Sequence, residues 1–262
     1  MKSTRRNFLK MMGAVSLGFS GLKTFAQELK TDLLIDGYGP LEDKGILKLP
    51  KVFSFKIIAE KGSTMHDGLL LPGRGDGMGT FEGKDGRVIL IRNHENSPGY
   101  LIDSPFGYSN QHLHKANKER IYDMGYDKYP QLGGTTTSIY NEKTQKVEKV
   151  FMSLAGTGRN CAGGVTPWGS WLTCEEYVYV KDDVHEKKHG YVFEVPATEK
   201  IGLKYPVPLK AMGRFNHEAV AVDPRTGIVY LTEDRHESLF YRFIPNVKGE
   251  LHKRGKLQAL AF

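Results

Sequence analysis

The chain has 262 residues, with 37 Lys and Arg against 30 Asp and Glu, two cysteines and 39% hydrophobic residues. Setting residues 1–26 aside removes Lys2, Arg5, Arg6, Lys10 and Lys23 and no acid, so the balance falls from +7 to 32 basic against 30 acidic. No basic stripe interleaved with aromatics remains, which argues against nucleic-acid binding, and two cysteines exclude a disulfide-built miniature fold.

At the N-terminus, Thr4-Arg5-Arg6-Asn7-Phe8-Leu9-Lys10 precedes an apolar run over 11–19 and then Thr24-Phe25-Ala26. A basic segment, an apolar run too short to span a bilayer and a small-residue cleavage site predict a removable export signal over residues 1–26. The paired arginines followed by Phe-Leu-Lys make it similar to twin-arginine signals, which carry folded and often cofactor-loaded proteins. Residues 27–262 are then the mature domain, long enough for one sizeable core.

Residues 30–50 carry no motif. Alternation predicts a strand over 52–59, and a short apolar run closes at Pro72-Gly73. Gly73-Arg74-Gly75-Asp76-Gly77-Met78-Gly79 reads as a glycine-dense loop; no Lys-Ser/Thr follows it, so it is no phosphate loop. A strand over 86–92 delivers Asn93-His94-Glu95. Residues 96–134 are polar and rich in Pro, Gly and Tyr, and read as a long insertion or lid in which His112 and His114 are solvated. A hairpin follows, with strands over 135–140 and 147–154.

The stretch from Gly156 to Glu176 is the chemical centre of the sequence. It places Cys161 in a glycine-rich turn, then a strand over 169–173 that ends on Glu175 and Glu176. Another strand covers 190–196. The order then repeats: Asn216-His217-Glu218, a strand over 219–222, the turn Asp223-Pro224-Arg225-Thr226-Gly227, a strand over 228–232, then Glu233-Asp234-Arg235 and a strand over 239–245. Residues 171–176 align with 229–234, and 191–196 with 241–245. Repeated strand-turn-strand units without amphipathic helices predict an all-β fold, a β-propeller, with a β-sandwich as runner-up. Residues 255–262 read as one more strand.

In a propeller, Glu95, Glu175, Glu176, Glu233 and Asp234 all stand at strand ends and converge on one mouth of the central channel. Convergent carboxylates repel unless cations are supplied. A thiolate favours iron, zinc or copper and carboxylates favour calcium, magnesium or ferric iron, so the mixed set suggests more than one kind of metal. Two readings of the thiols stay open in an oxidising compartment: Cys161 as ligand with Cys174 as packing, or a disulfide between them.

The twin-arginine signal, Arg92-Asn93-His94-Glu95, Arg159-Asn160-Cys161-Ala162-Gly163-Gly164, Thr166-Pro167-Trp168-Gly169, Trp171-Leu172-Thr173-Cys174-Glu175-Glu176, Phe215-Asn216-His217-Glu218 and Phe240-Tyr241-Arg242-Phe243 together resemble the PhoX-type alkaline phosphatases. The resemblance implies a periplasmic or secreted phosphomonoesterase on a six-bladed propeller, holding ferric iron and calcium in one cluster. Cys161 would ligate iron and Glu218 would be a second carboxylate of the iron cluster. Glu95, Glu175 and Glu176 would bind or bridge calcium, with Asp234 among the metal-binding acids. Members are usually longer, so the chain reads as incomplete at its C-terminus, with an arginine, a carboxylate and the closing blades lying beyond Phe262.

The implied chemistry is release of phosphate from a small phosphate monoester by a metal-activated oxide or hydroxide, with no protein nucleophile. Arg159 and Arg235 are the candidate phosphate clamps, and His94 and His217 pack or orient the neighbouring Glu. The expected partners are the ester and the twin-arginine export machinery, with no stable membrane insertion. Two alternatives are a calcium-dependent propeller lactonase or esterase, which needs no thiolate, and a non-catalytic propeller that binds a ligand through its face.

Overall fold

A computed structural model describes residues 38–260, so the export signal expected over 1–26 lies outside the described residues. The described residues divide into two units, with the boundary between Ile57 and Ile58. In the first, β1 (Leu41–Asp43) and β2 (Lys48–Pro50) form a small hairpin, and Tyr38 sits edge-on to Phe53. The strand expected over 52–59 does not form. Val52 and Ile57 are exposed, and alternation alone cannot hold a strand that no neighbouring strand pairs with.

The second unit is built of antiparallel meanders. The first comprises β3 (Gly75–Glu82), β4 (Arg87–His94), β5 (Gly133–Asn141) and β6 (Lys146–Thr157). The second comprises β7 (Asn160–Val165), β8 (Ser170–Glu175) and β9 (Val192–Pro196). The third comprises β10 (His217–Val222), β11 (Val229–Glu233), β12 (Phe240–Pro245) and β13 (Gly255–Ala259). Period-two patterning explains the faces: Ile89 and Ile91 of β4 both turn inward and are buried. Tight turns join neighbours, as where the Asn141 carboxamide accepts the N–H of Lys143 and of Thr144.

The first strand of each sheet lies innermost, with β7 beside both β3 and β10. Sheets that share an axis at their first strands and splay outward are propeller blades, whereas a sandwich would stack two sheets face to face. Apolar side chains fill the gaps between blades. Ile89, Ile91, Phe151, Trp171 and Phe193 pack between the first and second; Leu172, Cys174, Val220, Leu231 and Phe243 pack between the second and third. Each large side chain so buried contributes roughly 1.5–3 kcal/mol.

Two glycine-rich segments turn out to be strands. Residues 75–79, read as part of a loop, begin β3, and Cys161, read as a turn residue, lies in β7. The glycines are there because the inner strands touch backbone to backbone. A Cβ on Gly77 would stand 2.8 Å from Ala162 Cα and 2.9 Å from the Cys161 carbonyl oxygen, and one on Gly164 would collide with the Val220 carbonyl oxygen.

The 96–134 segment is also no solvated lid. It is laid down in short 3-10 turns, and its Phe106, Leu113, Ile121, Met124 and Leu132 join Met65, Leu69 and Met152 in an apolar cluster. His114 is exposed and His112 half-buried, as expected of solvated imidazoles. No helix among the described residues is long and apolar enough to cross a membrane.

Replacing Gly77 by Ala should cost about 1–3 kcal/mol of stability, because neither backbone neighbour can retreat. Chemical denaturation monitored by tryptophan fluorescence measures it, and an unchanged midpoint would show that β3 and β7 are not in backbone contact.

Candidate metal centre

Each blade departs from regular pairing at the same place. Gly75 pairs with His94 and the register then slips before Met78; Asn160 pairs with Glu175 and slips before Gly163; His217 pairs with Glu233 and slips before Val220. Such a bulge re-aims the side chains it carries. The residue just inside it is Asp76 in the first blade, Cys161 in the second and Glu218 in the third.

Across the ladder, the residue one past the end of the second strand is Glu95, Glu176 or Asp234. Each ties itself back in the same way. Its backbone N–H donates to the carbonyl of the residue before the bulged pair: Arg74 at 2.9 Å, Arg159 at 3.0 Å and Asn216 at 3.1 Å. Three blades therefore present two donor side chains apiece to one end of the innermost strands.

The ligand atoms of Cys161, Glu176 and Glu218 all lie within 4.8 Å of one another. Burial raises the Glu176 carboxyl above its ordinary value, and Asp234, Glu95 and Glu218 raise it further against the pull of Arg159. Burial likewise raises Glu218, with Asp234, Asp76 and Glu95 adding to it. The six side chains thus share one field, in which each negative charge disfavours the next.

Cys161 is free, as is Cys174, so no disulfide joins them. Burial pushes the Cys161 thiol up, helped by Cys174 and Glu218. Its Sγ faces three carbonyl oxygens, that of His217 at 3.3 Å and those of Cys174 and Glu218 at 3.7 Å, and it interacts with the Glu218 carboxyl as well. An ionised sulfur in that cage needs a cation. The Cys161 thiol and the Glu176 and Glu218 carboxyls, pressed toward their protonated forms, stand with the acids around them as a donor set that fits soft and hard metal ions together.

The thiol is positioned from the neighbouring blade. Asn93 of β4 is fully buried and uses its whole carboxamide: Nδ2 donates to the carbonyls of Cys161 (2.8 Å) and Ala162 (2.7 Å). Its Oδ1 accepts from Trp171 Nε1 (2.9 Å) and Thr173 Oγ1 (2.8 Å). The bulged strand is gripped at Cys161 itself.

Arg159 is fastened among the acids. Its Nη2 lies 2.7 Å from Glu95 Oε1 and 2.7 Å from Glu176 Oε2, and its backbone is left-handed at φ 44°. Burial alone would lower its pKa, but Glu95 and Glu176 outweigh that and hold it above the ordinary guanidinium value. Arg159, Glu176 and the exposed Arg235 line one open cleft beside the acids.

Two expected acids stand elsewhere. Glu175 is fully buried and faces away from this group: Oε1 accepts from Gly158 N (2.9 Å) and pairs with His189 Nδ1 (2.7 Å), while Oε2 accepts from Gly190 N (2.8 Å) and Tyr191 N (3.0 Å). Glu233 accepts from the Tyr241 hydroxyl at 2.8 Å. The reason is strand alternation, since a residue at a strand end and the one after it point to opposite sides. His189 Nε2 in turn meets Asp123 Oδ2 at 3.0 Å, closing a buried Glu175–His189–Asp123 chain.

His94 and His217 are structural. His94 bridges the Gly73 carbonyl and the Thr136 hydroxyl, His217 lies against Phe215, and burial lowers both to about 4. Sequence reasoning missed Asp76, Asp123 and His189. Asp76 was within reach, because it occupies in β3 the place that Cys161 and Glu218 occupy in β7 and β10.

Residues 36–262 match the family described as Alkaline phosphatase PhoX. Among solved structures, Pseudomonas fluorescens PhoX in complex with vanadate, a transition state analogue, is similar in fold at a TM-score of 0.54 and 17% sequence identity. The match covers 84% of this chain and 53% of that one, so this chain spans about half the length of the solved structure. No curated protein matches the chain.

Asn93→Ala strands two carbonyls, an indole N–H and a hydroxyl, and should cost about 3 kcal/mol, read from denaturant unfolding. The buried chain gives stability a pH dependence. Burial alone would lower His189, but Glu175 and Asp123 push it up to about 9, so its contribution is complete below ~6.5 and lost as pH rises through 9. Unfolding midpoints should therefore fall between pH 6.5 and 9.5, and His189→Gln should flatten that decline; an identical slope in the variant would refute it.

Proposed function

The chain belongs to the PhoX alkaline phosphatase family, and from this premise we propose that it is an exported, metal-dependent phosphomonoesterase. The observation that carries the reading is the meeting of Cys161 Sγ with the Glu176 and Glu218 carboxylates within 4.8 Å. Ferric iron and calcium suit the donors: Cys161 and Glu218 would hold iron, while Glu176, Glu95, Asp234 and Asp76 offer hard oxygens for calcium. When bound, these cations supply Lewis acidity and neutralise charge during phosphoryl transfer.

The chain's own residues have distinct tasks. Arg159 is braced by Glu95 and Glu176 through Nε and Nη2, and its Nη1 makes no hydrogen bond among the described residues. That nitrogen is free to donate to a non-bridging phosphate oxygen, with the exposed Arg235 as a second guanidinium at the same cleft. Neither arginine moves a proton, because a guanidinium stays protonated throughout. His94 and His217, held neutral by burial, keep the strand ends in place. Asn93 fixes the bulge so that sulfur and carboxylates are already assembled, which spares the transition state a reorganisation cost.

The Arg5-Arg6 pattern supports export through the twin-arginine machinery to the periplasm or the cell exterior. The substrate class is a small phosphate monoester. A calcium-dependent esterase or lactonase would leave the buried Cys161 without a purpose.

Cys161→Ala in the metal-loaded protein should lose its iron and lower p-nitrophenyl phosphate hydrolysis by on the order of 100-fold. Glu175→Gln should instead lower stability while folded molecules keep their metal. Elemental analysis and phosphatase assay decide: no stoichiometric iron in the parent protein, or full activity in Cys161→Ala, would defeat the reading.

A further inference from the structure

The cleft that opens beside the acids has a second wall that the metal chemistry does not use. It carries Tyr177, Tyr179 and His185, on the segment that leaves Glu176, together with Asp182. We propose that this wall is a stacking platform for the leaving group, selecting phosphate monoesters of aromatic alcohols or of nucleosides. This rests on the phosphomonoesterase reading given above.

Three ring separations define the platform. Tyr179 stacks on Tyr177 at 4.3 Å and 22°, and on His185 at 4.8 Å and 28°, while Tyr177 and His185 stand 5.6 Å apart. Rings on opposite faces of Tyr179 would be held apart by two stacking gaps, which is farther than 5.6 Å. Tyr177 and His185 therefore lie on the same side of Tyr179, and neither ring covers its other face. Tyr179 is 45% exposed and lines the cleft, whereas Tyr177 and His185 are buried at 8% and 4%.

The platform is rigid. His185 Nε2 meets the Tyr177 hydroxyl at 2.9 Å and Nδ1 meets Asp182 Oδ1 at 2.8 Å. The same Asp182 oxygen accepts the N–H of Val184 and of His185, both at 2.8 Å. The Tyr179 carbonyl accepts from His189 N at 2.9 Å and from Arg214 Nη1 at 3.4 Å. A pre-ordered ring offers a flat, apolar partner with its ordering entropy already met, and offset stacking on it favours an aromatic ligand over an aliphatic one. Arg159 and Glu176 border the same cleft, so a phosphoryl group held by Arg159 has its leaving group in the space that the wall borders.

The test uses the metal-loaded full chain and two non-hydrolysable probes, phenylphosphonate and methylphosphonate, titrated calorimetrically. The parent protein should prefer phenylphosphonate. Tyr179→Ala and Tyr179→Leu should each weaken phenylphosphonate by about tenfold and leave methylphosphonate unchanged, and Tyr179→Phe should behave as the parent. Turnover of p-nitrophenyl phosphate and glycerol phosphate is measured alongside. Selective loss of the aryl probe without turnover of either ester would uphold the platform while removing the phosphatase reading. Turnover of both esters with no preference between the phosphonates, or equal weakening of both probes in Tyr179→Ala, would overturn the platform and leave that reading standing.

Discussion

A one-place slip in strand pairing, made three times, governs the geometry of this protein. At Gly75, Asn160 and His217 the innermost strand of each blade leaves its ladder immediately after a paired residue, and the next side chain swings toward the axis. The strand opposite ends at the same level and hands over one more acid. Because each of those acids is pinned by its own backbone N–H to the residue ahead of the slip, their spacing follows from main-chain geometry and not from the chance of rotamers. Glycines at 77 and 164 let the three inner strands close up until the donors share one space.

That closeness has an electrostatic cost, which the protein meets in two ways. Arg159 is inserted between Glu95 and Glu176 and neutralises part of the charge. The remainder is left to the donors, and burial combined with mutual repulsion shifts Glu176, Glu218 and Cys161 toward their protonated forms. A second set of charges is closed on itself: His189 sits between Glu175 and Asp123, with both carboxylates also taking backbone N–H groups. Two acids adjacent in sequence thus have opposite fates, one turned to the open cleft and the other sealed in a finished network.

The strands with an apolar run or clear alternation, such as β4, β5 and β11, were legible from their residues, as was the repeat relating residues 171–176 to 229–234. The same repeat held more than was read from it. Once Glu175 is aligned with Glu233 and Glu176 with Asp234, the pleat alone says that only one of each pair can face the axis. Gly-rich inner strands were not legible, because glycine signals a loop unless one knows that a neighbouring main chain occupies the place of its side chain. Nor was the burial of the 96–134 segment, since its polar residues bond to distant backbone: the Asn96 carboxamide reaches the carbonyls of Asp103 and Leu132. The Tyr177–His185–Asp182 knot has no sequence signature either.

Asp123 belongs to the intervening 96–134 segment, yet it supplies the second carboxylate that holds His189. Trimming the segment to obtain a minimal version of the scaffold would therefore leave an imidazole with one counter-ion where it now has two, in a place no water reaches. An apparent appendage is in this sense a keystone, and its length is a fixed cost of the architecture for anyone redesigning it.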